Sequence, residues 1–124
     1  LYAGKDPIPD HRYVENVVAK IGGDRREISN EEIRDRLVLS ILNESALCLQ
    51  EGLVANAGEI DMSMIMGTGF PPFRGGPLRL IDQQGVQFIV NQLEYYAETR
   101  GARFAPCDLL KEMAANNQKF YPLF

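Results

Sequence analysis

The sequence has 124 residues, of which 45% are hydrophobic and 24% charged, with a net charge of −4 and a pI near 5.0. This is the composition of one ordinary globular domain, which excludes a disordered chain, a collagen-like repeat and a two-domain nucleotide enzyme. The acidic balance argues against affinity for nucleic acid or anionic lipid, and no apolar run reaches the ~20 residues of a membrane span.

The chain starts at Leu1 rather than at a methionine, so we expect it to be a piece of a longer protein. Residues 1–12 are rich in proline and glycine, which predicts a linker from an upstream domain ahead of a helical domain at 13–124. Cys48 and Cys107 are far apart and lie among apolar residues, which indicates reduced thiols and a location in the cytoplasm or in an equivalent reducing lumen.

Apolar residues at helical spacing predict a first helix that stops at Gly22-Gly23. A capping box at Ser29 and Glu32 predicts the start of a long helix, and Gly52 is its expected end. Its apolar residues form two stripes, which are Ile33, Leu37, Ile41 and Cys48, and beside them Val38, Leu42 and Leu49. Because the stripes cover about half of the circumference, we expect neighbours to wrap this central helix.

Further helices are predicted at 59–66, with a stop at Gly67-Thr68-Gly69, at 78–84, at 86–100 and from about Pro106. Between them, two adjacent prolines make Phe70 to Pro77 a rigid loop. The fifth helix offers Val86, Phe88, Ile89, Leu93, Tyr96 and Ala97 to the core, and the apolar tail 119–124 is expected to dock. No segment alternates like a strand, so the predicted fold is all-α, a compact multi-helix domain.

The sequence gives little support for a catalytic site, a cofactor site or a metal site. The only histidine, His11, lies in the proline-rich lead-in, so a nucleophile has no base nearby. Glu59 and Asp61 are better explained as first-turn carboxylates facing a helix dipole than as zinc ligands. The glycines at 67–69 follow a predicted helix rather than a strand, which argues against a phosphate loop. Met62, Met64 and Met66 cannot share one helix face and are expected to fill gaps around the loop that follows.

Asn43 and Glu44 are polar residues in the middle of the apolar central helix. A carboxylate buried there must be paired or have its pKa raised, and Arg74 and Arg79 are the natural partners. We expect a structural ion pair, with a general base or a ligand-positioning amide as the alternative.

Several motifs together resemble one known family. The residues that carry the resemblance are Glu31-Glu32-Ile33-Arg34-Asp35-Arg36, Leu42-Asn43-Glu44, Cys48-Leu49-Gln50-Glu51-Gly52, Glu59-Ile60-Asp61 and Gly67-Thr68-Gly69-Phe70-Pro71-Pro72-Phe73-Arg74-Gly75-Gly76. They are similar to the second C-terminal helical repeat of the 3-hydroxyacyl-CoA dehydrogenase region in multifunctional fatty-acid β-oxidation enzymes. The match is strong from about Ser29 to Gly85 and loose elsewhere.

The resemblance implies a parent enzyme that hydrates enoyl-CoA and oxidises L-3-hydroxyacyl-CoA with NAD⁺. The family's catalytic histidine and glutamate belong to a Rossmann domain that this chain lacks, so we assign no catalytic, cofactor-binding or metal-binding residue to it. Asn43 has an analogous place to a first-repeat asparagine near the reacting groups, but the role depends on a facing cofactor. The fragment alone is expected to be inactive.

The expected partners are the first helical repeat and the Rossmann domain of the parent, with acyl-CoA as the parent's substrate. Alternatives are a stand-alone module that homodimerises through the surface meant for its sister repeat, or one that binds acyl-CoA through Arg74, Arg79 and the glycine pair. The candidate structural and interface residues are Asn43, Glu44, Asp61, Phe70, Pro71, Pro72, Phe73, Arg74, Gly75, Gly76 and Arg79.

Overall fold

The computed structural model describes residues 2–3, 6–23 and 26–122. The helices are α1 (His11–Ile21), α2 (Asn30–Gln50), α3 (Ala57–Thr68), α4 (Pro77–Gln84), α5 (Val86–Arg100) and α6 (Asp108–Ala115), with 3₁₀ turns at Pro72–Arg74 and Ala102–Phe104. The predicted all-α class is confirmed. One short antiparallel pair, β1 (Tyr2–Ala3) and β2 (Asp6–Pro7), lies in the segment predicted to be a linker. None of the described helices is long and apolar enough to cross a membrane.

The long helix α2 begins and ends where its sequence signals predict. The Ser29 hydroxyl accepts a hydrogen bond from the Glu32 amide at 3.1 Å, which caps the first turn. At the other end Gly52 has a φ of +71°, and the amide of Leu53 donates to the carbonyl of Cys48 at 3.1 Å. Glycine reaches this left-handed conformation without a Cβ clash, so it closes the helix in a Schellman motif.

Helices α3, α4, α5 and α6 all contact α2, which makes α2 the centre of the fold. The largest side chains that are fully buried are Leu42, Pro77, Leu78, Ile81, Ile89, Leu93 and Leu110. Each buried leucine or isoleucine contributes about 1.5–3 kcal/mol relative to an exposed position. The predicted central position of α2 is therefore confirmed.

One face of α2 remains exposed among the described residues. Leu39, Leu42 and Ala46 are buried, whereas Leu37 is 64% exposed and Ile33 and Ile41 are also exposed. The prediction that neighbours wrap the apolar stripes of this helix is thus wrong for the Ile33/Leu37/Ile41 face. The reason is that α3 to α6 pack against the other face, and α1, which buries no residue, does not cover this one.

Helix α3 differs from its prediction at both ends and along its methionines. It starts earlier because the Asn56 side chain caps it by accepting from the Glu59 amide at 3.1 Å. It continues through Gly67 and ends at Gly69, which has a φ of +75°. Met62 and Met66 are exposed, so the expectation that they fill gaps around the loop is wrong, while Met64 is partly buried against the core.

The last helices follow the prediction closely, with two exceptions. Helix α5 has the predicted bounds, but Phe88 is half exposed rather than part of the core. Helix α6 begins at Asp108 instead of Pro106 because the preceding backbone is held extended by side chains of α2. The tail docks on the core through its own residues Phe120 and Tyr121, which are partly buried, as predicted. Residues 123–124 lie outside the described part.

Candidate functional site

Asp61 is the buried acidic residue around which the glycine-proline motif is arranged. It lies on α3 and is only 4% exposed. Its carboxylate accepts hydrogen bonds from the amides of Leu78 at 2.7 Å and Arg79 at 3.0 Å, and from the Tyr121 hydroxyl at 2.7 Å. Asp61 therefore caps the N-terminus of α4, and the prediction that it faces the dipole of its own helix is wrong.

Gly76 lets the chain pass close to this carboxylate. Its φ is +106°, and a Cβ placed there would lie 2.3 Å from Cβ and Cγ of Asp61. A side chain would be strained and would also displace the cap. Pro77 then starts α4 at a position where no amide donor is needed. The Gly-Gly-Pro sequence thus lets the backbone at the start of α4 come close enough for Asp61 to cap the helix.

The aromatic and basic residues of the motif do not form one site. Phe70 is partly buried against the core, whereas Phe73 is 80% exposed and its ring centre lies 5.3 Å from the Arg74 guanidinium. Arg79 instead stacks over the ring of Tyr121, 3.7 Å from its centroid. Pro71 precedes the 3₁₀ turn, which begins at Pro72 and contains Phe73 and Arg74.

The tail is held against this cap by a second aspartate. Asp82 on α4 accepts from the backbone amides of Phe120 at 3.0 Å and Tyr121 at 2.8 Å. Burial of the phenol and its hydrogen bond to Asp61 raise the pKa of Tyr121. The tail is therefore part of the fold rather than a free end at these residues.

Asn43 has a structural role where α2 meets the start of α6. Its side-chain amide donates to the carbonyl of Ala105 at 2.9 Å and its oxygen accepts from the amide of Cys107 at 2.9 Å. Gln50, seven residues further along α2, accepts from the amide of Leu109 at 2.8 Å. Both residues tie α2 to the start of α6, so the polar atoms of Asn43 are already committed.

The predicted ion pair of Glu44 with Arg74 or Arg79 is wrong. Glu44 is exposed, and within the described ranges no arginine or lysine lies within 4 Å of its carboxylate. Its turn of α2 belongs to the uncovered face, so the carboxylate stays in water and needs no partner.

A different glutamate, Glu32, holds the arginine cluster of this domain. Arg100, from the end of α5, donates to its carboxylate at 2.7 Å, and Arg26 and Arg36 also contact it. Hydrogen bonds from Arg26 and then Arg100 lower the pKa of Glu32 to about 2. The carboxylate is thus committed to ion pairs with other segments instead of completing the predicted capping box.

A groove of about 720 Å³ lies between α2, the proline loop, α4 and α5. Val38, Leu39, Leu42, Phe70, Leu80 and Phe88 contribute its apolar lining, and Glu31, Arg34, Asp35 and Arg74 its charged part. Arg34 is paired with Asp35 at 2.9 Å, which raises the pKa of the guanidinium. Arg74 is the cation of this groove that makes no ion pair with another described residue.

Three aliphatic side chains are exposed on one face of α2, which we call the α2 stripe and define as Ile33, Leu37 and Ile41. Three large aliphatic side chains in water on one helix face are typical of a contact surface. Within the described ranges, no three His, Cys, Asp or Glu side chains lie together in a way that could hold a metal ion. The two cysteines are free thiols, and burial raises the pKa of Cys107.

Sequence reasoning misses Glu32, Gln50, Asp61 and Asp82 as the residues that tie distant elements together. Asp61 and Gly76 offer a usable signal, because a buried acid opposite a Gly-Gly-Pro turn can cap the following helix. Glu32 and Arg100 are 68 residues apart, and no local pattern connects them.

Comparison with known proteins gives a consistent result. The model for the C-terminal domain of 3-hydroxyacyl-CoA dehydrogenase matches residues 33–120. The chain is 54% identical over 101 residues to the fatty acid oxidation complex subunit alpha of Acinetobacter baumannii (strain SDF), covering 82% of this chain and 14% of that protein. The protein of the same name from Acinetobacter baylyi is 46% identical over 112 residues, covering 90% of this chain and 16% of the relative.

Proposed function

This chain belongs to the family of 3-hydroxyacyl-CoA dehydrogenase C-terminal domains, and we propose that it is the helical packing module of a larger NAD-dependent dehydrogenase of fatty-acid β-oxidation. The chain spans about one-seventh of the length of the curated relatives that it matches. In this proposal the hydratase, the Rossmann domain and a first helical repeat belong to the parent protein. We place that protein in the cytoplasm, with residues 1–12 as the linker into this domain.

The observation that carries the proposal is the α2 stripe. A central helix that packs one face in the core and leaves Ile33, Leu37 and Ile41 exposed on another is suited to meet a second apolar face. We propose that the first helical repeat covers the stripe in the parent, as in an internal pseudo-dimer. In that arrangement the domain would also help to wall the acyl-CoA cleft against the Rossmann domain.

The nicotinamide cofactor of the proposed parent does not fit this chain. A dinucleotide site needs a glycine-rich turn between a strand and a helix. Here Gly67 lies inside α3 and Gly69 ends it, so this glycine segment is a helix terminus. We therefore derive no hydride-transfer step from the described residues and assign NAD to the rest of the parent.

The experiment that tests the proposal is an NADH assay on the purified 124-residue chain. The chain is incubated with 3-hydroxybutyryl-CoA and NAD⁺, and absorbance of NADH is followed, with a full-length fatty acid oxidation alpha subunit as the positive control. We expect the rate to equal that of the buffer. Protein-dependent turnover that tracks the amount of chain would refute the packing role.

The second candidate function is binding of acyl-CoA by the isolated domain, and it is favoured by the groove beside Arg74. Apolar walls and a guanidinium without an ion-pair partner among the described residues suit a chain with an anionic head. Arg79 does not line the groove, because it stacks on Tyr121. Calorimetry with acetoacetyl-CoA decides: heat that Arg74→Ala abolishes would support binding, and no heat would remove this candidate.

A further inference from the structure

Helix α1 has an apolar face that is largely exposed to water. Val14, Val17, Val18 and Ile21 follow the spacing i, i+3, i+4 and i+7, so they share one side of the helix. Val14 is 53% and Ile21 77% exposed, and no side chain of α1 is buried. Because an isolated helix of 11 residues is marginal in water, α1 needs a partner for this face to be stably formed.

The groove beside Arg74 has the form into which an amphipathic helix fits. It measures about 720 Å³, and its apolar walls include Val38, Leu42, Phe70 and the half-exposed Phe88. The spacing of the apolar residues on α1 is the pattern by which helices anchor in grooves of this kind. Among the described residues, none from α1 lines the groove, so the structure shows α1 outside it.

The charged residues that border the two surfaces are complementary. On α1, Glu15 and Lys20 lie on opposite borders of the apolar face, and neither makes an ion pair within the described ranges. The groove has Arg74 in the proline loop, also without an ion-pair partner in the described part of the chain. On α2 it has Glu31, which is 77% exposed and lies 3.7 Å from Arg34. Each surface thus offers one acidic and one basic side chain to the other.

The connection between α1 and α2 allows the chain to turn back on itself. Gly22 and Gly23 follow α1 directly, with φ of +71° and +104°, and a Cβ at either position would meet nothing within 4 Å. Arg26 donates to Glu32 at 3.0 Å, which holds the other end of the connection beside α2. Fully extended, residues 22–29 reach on the order of 25 Å, which exceeds the ~16 Å length of α1. A tether of this length gives α1 a local concentration in the millimolar range at the groove.

We propose that α1 docks by its apolar face into the groove of its own chain, antiparallel to the first half of α2. Glu15 then faces Arg74 across one border of the groove. Lys20 faces Glu31 across the other border, near the start of α2. The docked helix covers Phe88 and acts as a strap that keeps acyl-CoA, the second candidate ligand, out of the groove. This inference does not rest on the packing role of the domain.

Hydrogen exchange of the α1 amides in the 124-residue chain tests the docking, because the amides of an undocked short helix are poorly protected. Glu15→Arg and Arg74→Glu each bring like charges together, so each should lower the protection of residues 11–21 about 5-fold. The double variant brings opposite charges together again and should regain the protection of the unsubstituted chain. A double variant that stays as poorly protected as the single variants would overturn the pairing.

Val18→Asp and Asn16→Asp form a matched pair that tests the apolar face. Both place one aspartate on α1, the first on the apolar face and the second on the opposite side. Val18→Asp should lower the protection of α1 at least ~10-fold, because docking would bury an unpaired charge. Asn16→Asp should leave protection unchanged. Equal losses in the two variants, or unprotected α1 amides in the unsubstituted chain, would overturn the docking.

Dilution distinguishes docking within one chain from an exchange of α1 between copies. Protection that stays constant from millimolar to micromolar protein supports docking within the chain. Protection that is lost on dilution would overturn it in favour of exchange between two copies. The NADH assay bears on the packing role alone, so the failure of either proposal is recognised separately from the failure of the other.

Discussion

At the scale of single residues, the acidic groups decide which parts of the chain are held together. Asp61 is buried and accepts three hydrogen bonds, whereas Glu44 is exposed and makes no ion pair with a described residue. Sequence inspection reverses these two roles, because it places Glu44 on an apolar helix but cannot see that the face is uncovered. The polar residues that matter for stability are those that reach another element.

Asp61→Ala should destabilise the domain strongly. It removes the acceptor of two amides at the start of α4 and of the Tyr121 hydroxyl, so the free energy of unfolding should fall by about 2–4 kcal/mol. Urea denaturation measures the change. The matched control is Glu44→Ala, which should change the free energy of unfolding by less than about 0.5 kcal/mol. Equal midpoints for the two variants would contradict the capping role of Asp61.

Gly76→Ala should cost more than Gly52→Ala, although both glycines have a positive φ. At Gly52 a Cβ would meet nothing within 4 Å, so the expected cost is only the backbone strain of about 1 kcal/mol. At Gly76 it would meet Asp61 at 2.3 Å and push the cap away, for a total of at least about 2 kcal/mol. Thermal melts of the two variants give the comparison, and similar losses would argue against the close approach.

At the scale of the elements, local signals such as caps predict the ends of α2. Packing between helices determines which of their faces are buried. Ser29 and Gly52 bound α2 as expected because caps act within one turn. The late start of α6 depends on Asn43, 64 residues before Cys107, and could not be read from Pro106. The exposure of Ile33 and Leu37 likewise depends on which helices pack on α2, since periodicity shows an apolar face but not its partner.

The junction between the start of α2 and the end of α5 should be sensitive to acid. Glu32 has its pKa lowered to about 2 in the folded chain from an ordinary value of 4.5, so it stabilises the fold above pH 4.5 and loses this effect as the pH falls to 2. Glu32→Gln should therefore melt below the unsubstituted chain at pH 7, with the gap closing between pH 4.5 and 2. A gap that stays constant over this range would exclude the arginine cluster as its cause.

At the scale of the whole molecule, the chain belongs to the family of 3-hydroxyacyl-CoA dehydrogenase C-terminal domains, and several of its motif residues make structural contacts. Its motif residues Asp61 and Gly76 build a helix cap, and Asn43 ties α2 to α6. The family could be inferred from the motifs in sequence, because their spacing reflects these caps. The contact face could not, because it is visible only once the other helices are in place.

The account depends most on the α2 stripe being a contact surface, and methyl resonances read this surface directly. Spectra of the chain with labelled isoleucine and leucine methyl groups are recorded over a titration series in which the unlabelled first helical repeat of a fatty acid oxidation alpha subunit is added. We predict that the signals of Ile33, Leu37 and Ile41 shift as the repeat is added, while those of the buried Leu42, Ile81 and Leu93 stay fixed. Stripe signals that do not move over the whole series, or shifts confined to other parts of the surface, would contradict it.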